Sequence, residues 1–336
     1  MLGLLVLAGS AKASGPDQLY EAAVPVKNQS PATRAAALKE VLRSVAIKVT
    51  GLDVIPNSFF QQPLRLEDLV QQFGYESRQR TQAGRPQLQL WAKLDAVGVK
   101  QLIRQAGLPI WPEERPATLV WLAVEDPAGR QILAEGSEHP ALTLLNELAE
   151  RRGLPVVLPL MDLQESSLVD FDVVSAMQLE PLVSPSDKYG SHYVLVGHLQ
   201  MLEKGLWRGR WKLIGENEQV STTPAGPLSD VLAAGINPLA SRIAQQFSSL
   251  SYVDSEQYID LSIDDINGAA DYARSLKYLQ SLSLISQVDV VGADQQMVNF
   301  RLHTKADMAS VLQVIGLGRV LYARDTIDQL VFGLNP

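Results

Sequence analysis

Five residues on one extended segment, Trp207-Arg208-Gly209-Arg210-Trp211, carry the most suggestive spacing in the chain. Side chains alternate along a strand, so both indoles fall on one face and both guanidinium groups on the other. A solvent-facing tryptophan pair beside cations would stack on a sugar or a peptide. A half-buried sheet would instead take the same tryptophans into its core and leave the arginines in water. Trp207, Arg208, Arg210 and Trp211 are therefore the candidate binding residues, and exposure of the indoles decides between the two arrangements.

Other residues capable of chemistry are scattered. The histidines are His139, His192, His198 and His303. His192 and His198 share a strand face, but at about 3.3 Å per residue they stand roughly 20 Å apart, too far to hold one metal ion. Asp260, Asp264 and Asp265 could offer oxygen ligands to a hard cation, though the same residues serve equally as turn and helix-entry carboxylates, as do Asp170 and Asp172. An active centre would have to gather several of Asp170, Asp172, His192, His198 and Asp260 in one cleft. Gly316-Leu317-Gly318 follows a helix instead of opening one, the reverse of a dinucleotide site, and no Gly-x-Ser-x-Gly elbow is present. The sequence thus points to no catalytic residue, no metal ligand and no cofactor.

The elements that position these residues fall into three units, an α+β organisation of small α/β units. Residues 14–107 read as β-α-β-β-α. A strand from Leu19 to Val26 is marked as an edge by Pro25, which cannot donate to a ladder. Ser30 and Pro31 then suit the cap and first position of a helix whose apolar stripe is Leu38, Val41, Leu42, Val45 and Val49, with Gly51 as its left-handed stop. Tyr75 to Thr81 and Leu88 to Leu94 read as a hairpin, and Asp95 caps a second helix. Residues 108–116 hold three prolines and read as a linker.

The middle unit, 117–250, opens on Thr118 to Val124, a nearly continuous apolar run that predicts a strand buried on both faces of a mixed sheet. A helix from Pro140 to Arg152 and a strand from Leu154 to Leu160 follow. One or two short helices, a hairpin of His192–Gln200 with Trp207–Ile214, and a helix from Leu228 to Phe247 broken or kinked at Pro238 complete it. Residues 251–336 give the order β-α-β-β-α-β of a ferredoxin-like unit. There, Thr304 and Asp307 have capping-box spacing, and Gly316 ends the last helix.

The chain has 336 residues, 46 % of them hydrophobic and 20 % charged, no cysteine, and a formal net charge of −8. Missing cysteine excludes disulfides, thiolate metal sites and thiol nucleophiles. The acidic balance argues against a general nucleic-acid partner, because phosphate neutralisation needs clustered cations. Leu2 to Gly9 is apolar but far short of the roughly 20 residues that span a bilayer. It runs into Ser10-Ala11-Lys12-Ala13-Ser14, where small residues at Ala11 and Ala13 fit cleavage after Ala13, so residues 1–13 are expected to be a signal peptide. No basic residue precedes the apolar stretch, as expected of a leader truncated at its start. The mature chain is expected to be soluble and exported, with no transmembrane segment.

Leu19 to Val26 (LYEAAVPV), Arg34 to Leu38, Val49 to Gly51, Val120 to Val124, Val194 to Leu199, the Trp207–Trp211 segment and Ala270 to Ala273 together resemble the domain of unknown function 2066 family of exported gammaproteobacterial proteins. The opening block also resembles the N-terminal part of flagellar assembly protein T, and the middle unit resembles the amino-terminal domain of TolB-type envelope proteins. These resemblances imply an envelope address and a role in contacts with other proteins. The function expected is a non-enzymatic periplasmic accessory or scaffold protein with envelope proteins as partners. The alternatives are a glycan- or peptide-binding module built on the Trp/Arg strand and, behind it, an uncharacterised hydrolase.

Overall fold

Ser30 accepts a hydrogen bond from the Thr33 N–H and Gly51 takes φ +71°, so the first long helix starts and stops where cap chemistry dictates. In the computed structural model the described residues are 16–61, 66–78, 86–214, 220–248, 256–294, 296–318, 320–324 and 330–335. Residues 1–13, expected to be a signal peptide, and Ala83-Gly84-Arg85, expected to be a turn, lie outside them.

A short 3-10 helix (Pro16–Tyr20) precedes β1 (Glu21–Pro25) and α1 (Pro31–Thr50). After the one-turn α2 (Leu66–Leu69) come β2 (Val70–Arg78), β3 (Gln87–Leu94) and α3 (Ala96–Gln105), the last capped by Asp95. The sheet is antiparallel, in the order β1-β3-β2. Val24, Leu90, Ala92 and Leu94 turn toward Val41, Leu42 and Val45 of α1 to form the first core.

The middle sheet begins with β4 (Thr118–Asp126), buried without a break from Thr118 to Val124. A hairpin through Gly129 leads to β5 (Gly129–Leu133), a strand the sequence pattern concealed because three of its five residues are exposed. After α4 (Pro140–Arg152) comes β6, only Val156–Val157, since Pro155 and Pro159 confine the ladder between them. Three short helices follow, α5 (Leu163–Leu168), α6 (Phe171–Ser175) and α7 (Glu180–Asp187). Then come β7 (Tyr193–Glu203), β8 (Leu206–Ile214), β9 (Ser221–Thr222) and α8 (Leu228–Phe247). The strand order is β5-β4-β7-β8-β9, with β6 parallel to the start of β4. Helix α8 runs through Pro238 unbroken; Ile236, Leu239, Ala240 and Ile243 bury one continuous face, which offsets the single backbone bond that proline removes.

Helices cover both faces of this sheet. Val120, Leu122 and Val124 meet α4 and α8, while Leu119, Trp121 and Ala123 meet α6 and α7. That arrangement is why the strand is apolar at every position.

The last sheet comprises β10 (Gln257–Asp264), β11 (Ile285–Asp294), β12 (Met297–Thr304), β13 (Leu321–Arg324) and β14 (Val331–Leu334), with α9 (Ala269–Ser281) and α10 (Met308–Leu317). It keeps the β-α-β-β-α-β order and adds a fifth strand. β14 inserts parallel to β10, displacing β13 outward in the order β11-β12-β10-β14-β13. Thr304 stays in the β12 ladder, its hydroxyl donating to Leu284, so the cap of α10 is Asp307 and not Thr304. Gly316 lies inside that helix.

Residues 108–116 form no regular element, but they join the three units. Trp111 is buried among the middle-unit core while its backbone N–H donates to the carbonyl of Val49 in α1 at 2.8 Å. Arg115 stacks on the Trp111 ring and donates to the carbonyls of Lys48 (2.7 Å) and Gly153 (2.5 Å). Glu114 accepts from the N–H and hydroxyl of Ser283 in the last unit.

Candidate binding groove

Of the residues singled out by sequence, Arg210 and His198 meet directly, with Asp172 nearby through Arg130. Trp207 and Trp211 are 5 % and 2 % exposed, packed with Val231 and Ile236 of α8. Of the two arrangements the alternation allows, the structure takes the one with core tryptophans, because a sheet helix-covered on both faces has no open side for them. Arg208 is exposed, whereas Arg210 turns under α6, donating to the Ser175 carbonyl and contacting Nδ1 of His198 at 3.1 Å. Burial, followed by the Arg210 cation, holds His198 below the usual imidazole value.

His139 caps α4 through Nδ1 and meets Asp126 through Nε2, His303 meets Asp289, and His192 is exposed. Asp170 caps α6, and Asp172 stands 4.0 Å from Arg130. Asp260 is held by Nε and Nη2 of Arg301, while Asp264 and Asp265 pair with Arg324. These carboxylates brace the last sheet and the entry of a helix.

What the fold does bring together is a groove of about 1040 Å³ between the first and middle units. Its first wall is β1 with the face of the first sheet that α1 leaves open, where Ala23 lies opposite Trp91. The Val26 N–H donates to Leu88, so by antiparallel alternation Ala22, Val24 and Val26 pair with β3. Glu21, Ala23 and Pro25 therefore direct their backbone groups away from the sheet. The missing N–H of Pro25 falls on this unpaired side, the reason an edge strand tolerates it. The buried Lys48 amine takes the Glu21 carbonyl at 2.9 Å and so blunts one end of the edge. Burial lowers the pKa of that amine, with Glu150 acting in the opposite sense. The N–H and C=O of Ala23 and the C=O of Pro25 face outward beyond it.

The opposite wall is β6. The Thr118 N–H donates to the Pro155 carbonyl, which turns Pro155 and Val157 toward β4 and the backbone groups of Val156 toward the groove. Leu142, Asn146 and Ala149 of α4, one helical turn apart, form the floor with Leu154 and Leu158. Glu21, Glu76, Glu135 and Glu150 line the groove, and no lysine, arginine or histidine does so among the described residues. Lys93 approaches Glu21 to 3.8 Å and Lys48 approaches Glu150 to 4.0 Å.

None of these groove residues was selected from sequence. Pro25 did mark one edge, but Leu154 to Leu160 read only as a strand, and nothing in the sequence placed the two edges side by side.

A family model described as a domain of unknown function (DUF8605) matches residues 13–112, which span the first sheet, its helices and the Trp111 anchor. A comparison with curated proteins finds no match. Among the described residues no helix is long and apolar enough to cross a membrane.

Proposed function

We propose that this chain is a non-enzymatic accessory protein of the bacterial cell envelope, exported behind residues 1–13, which holds a partner protein in the groove between its first and middle units. The observation that carries this reading is the pair of open strand edges, β1 and β6, on one groove. An unpaired edge is a template for another chain; Pro25, Lys48 and the prolines flanking β6 shorten these two edges but leave the backbone groups of Ala23 and Val156 open. The arginine contacts that join the units keep the two walls in fixed relation. The resemblances to the domain of unknown function 2066 family, to flagellar assembly protein T and to TolB-type amino-terminal domains support the envelope address and the contact role.

A photo-crosslinking residue at Asn146, which is exposed on the groove floor, tests it in intact cells, with exposed Val97 on α3 as the control position. A protein adduct formed from position 146 and not from 97, in periplasmic material whose N-terminus reads Ser14, is expected. Equal adducts from both positions, or none from 146, would overturn the groove's role, and a chain retaining residues 1–13 in the cytoplasmic fraction would overturn the address.

A further inference from the structure

We infer that the groove's occupant is an extended, basic peptide segment of the partner, with lysine or arginine alternating with apolar residues, added as a strand to the open edge of β1. This rests on the reading of the groove as a protein-binding site and specifies the chemistry of what enters it.

The backbone sets the mode. Ala23 offers one N–H and one C=O, Pro25 a further C=O, and Val156 across the groove another donor and acceptor. A peptide strand has hydrogen-bonding groups along both edges, so a segment paired with β1 turns its second set toward the wall that carries Val156. β1 is five residues long, which at about 3.4 Å per residue pairs with some 17 Å of peptide.

The side chains set the composition. Successive residues of a strand point to opposite sides. One set meets Leu142, Ala149, Leu154 and Leu158, which calls for apolar residues. The other set meets the carboxylates. Glu76 and Glu135 are exposed and form no ion pair with a described residue, and the lysines beside Glu21 and Glu150 stand at 3.8 and 4.0 Å. A basic segment complements this charge, whereas an acidic one meets repulsion on both walls.

The experiment uses the full mature chain and a heptapeptide of alternating lysine and valine. Binding is read by anisotropy of a dye on the peptide and by the emission of Trp91, which lines the groove. The peptide is expected to bind, more weakly as salt rises. A glutamate/valine counterpart, and a lysine/valine copy N-methylated along one edge, should bind at least tenfold more weakly. Ala23→Pro removes an outward N–H without touching the β3 ladder and should also cost at least tenfold. Glu76→Lys with Glu135→Lys, both at exposed positions, should cost at least fivefold and decides the matter should Ala23→Pro unfold the chain. Equal binding of the lysine and glutamate peptides, or undiminished binding by these variants, would overturn the inference. Failure of the lysine peptide while the Asn146 cross-link persists would overturn the basic strand alone, and loss of both would overturn the groove's role as well.

Discussion

Arg152 closes a helix to which it does not belong: its Nη2 donates to the carbonyl of Gly51 at 2.9 Å, across 101 positions of sequence. The last carbonyls of a helix have no partner within it, and a cation near them also meets the negative end of the helix dipole. Arg152 serves Gly51 and Leu52 while pairing with Asp53, and Arg115 serves Lys48. The middle unit thereby completes α1 of the first.

Replacing Arg152 with Met keeps the length of the stem and removes the donors. Charge-assisted bonds to buried carbonyls contribute about 1.5–3 kcal/mol each, so a loss of about 3 kcal/mol in urea unfolding is expected. Amide exchange at Gly51 and Trp111 should quicken with it. An unchanged midpoint would mean that the two units do not depend on this contact.

Gly51→Ala should cost more than the roughly 1–2 kcal/mol of a left-handed residue alone. A Cβ there collides with Ala244 Cβ on α8 and reaches within 3.2 Å of the Trp111 ring. Ser30→Ala at the other end of α1, exposed and with a single cap bond, should cost about 1 kcal/mol. Thermal melts of the two variants side by side check the ordering.

Gly235→Ala tests the burial of Trp211. A methyl at 235 would stand 2.5 Å from the indole, and overpacking of this kind costs about 1–3 kcal/mol. The midpoint should fall and acrylamide quenching should rise. In the unsubstituted protein quenching should be confined mainly to Trp91, since Trp111, Trp121, Trp207 and Trp211 are all buried.

His198 makes stability depend on pH in a defined direction. Its folded pKa lies below the ordinary value of about 6.5, so the unfolded chain takes up a proton that the fold resists. Stability is therefore expected to decline as pH falls from about 6.5 toward the folded pKa and to level off below it. Glu125, Arg130, Arg210 and Phe171 surround the ring, and Asp172 approaches through Arg130. Urea midpoints at pH 7.5 and 5.5 should differ less in His198→Gln than in the unsubstituted chain.

Local chemistry made much of the fold legible. Ser30, Asp95 and Gly51 fixed helix ends through bonds to neighbours within four residues, and the unbroken run from Thr118 to Val124 announced a strand covered on both faces. β5 escaped because its first three residues, Gly129 to Gln131, are exposed and only Ile132 and Leu133 are apolar, and the cap of α10 lies at Asp307 because Thr304 is claimed by a ladder to residues distant in sequence. Trp207 and Trp211 show the same limit at the candidate site. Alternation placed them together on one face, but α8 determined that the face is dry.

The sequence by itself determined which segments could be helix or strand, because periodicity, caps and prolines act over a few residues. Tertiary structure alone decided that a proline-rich connection would be the joint of three units, that two arginines would finish a distant helix, and that β1 and β6 would share a groove. Those outcomes depend on burial and on hydrogen-bond partners about a hundred residues away, and no local pattern encodes the partner of an unpaired edge.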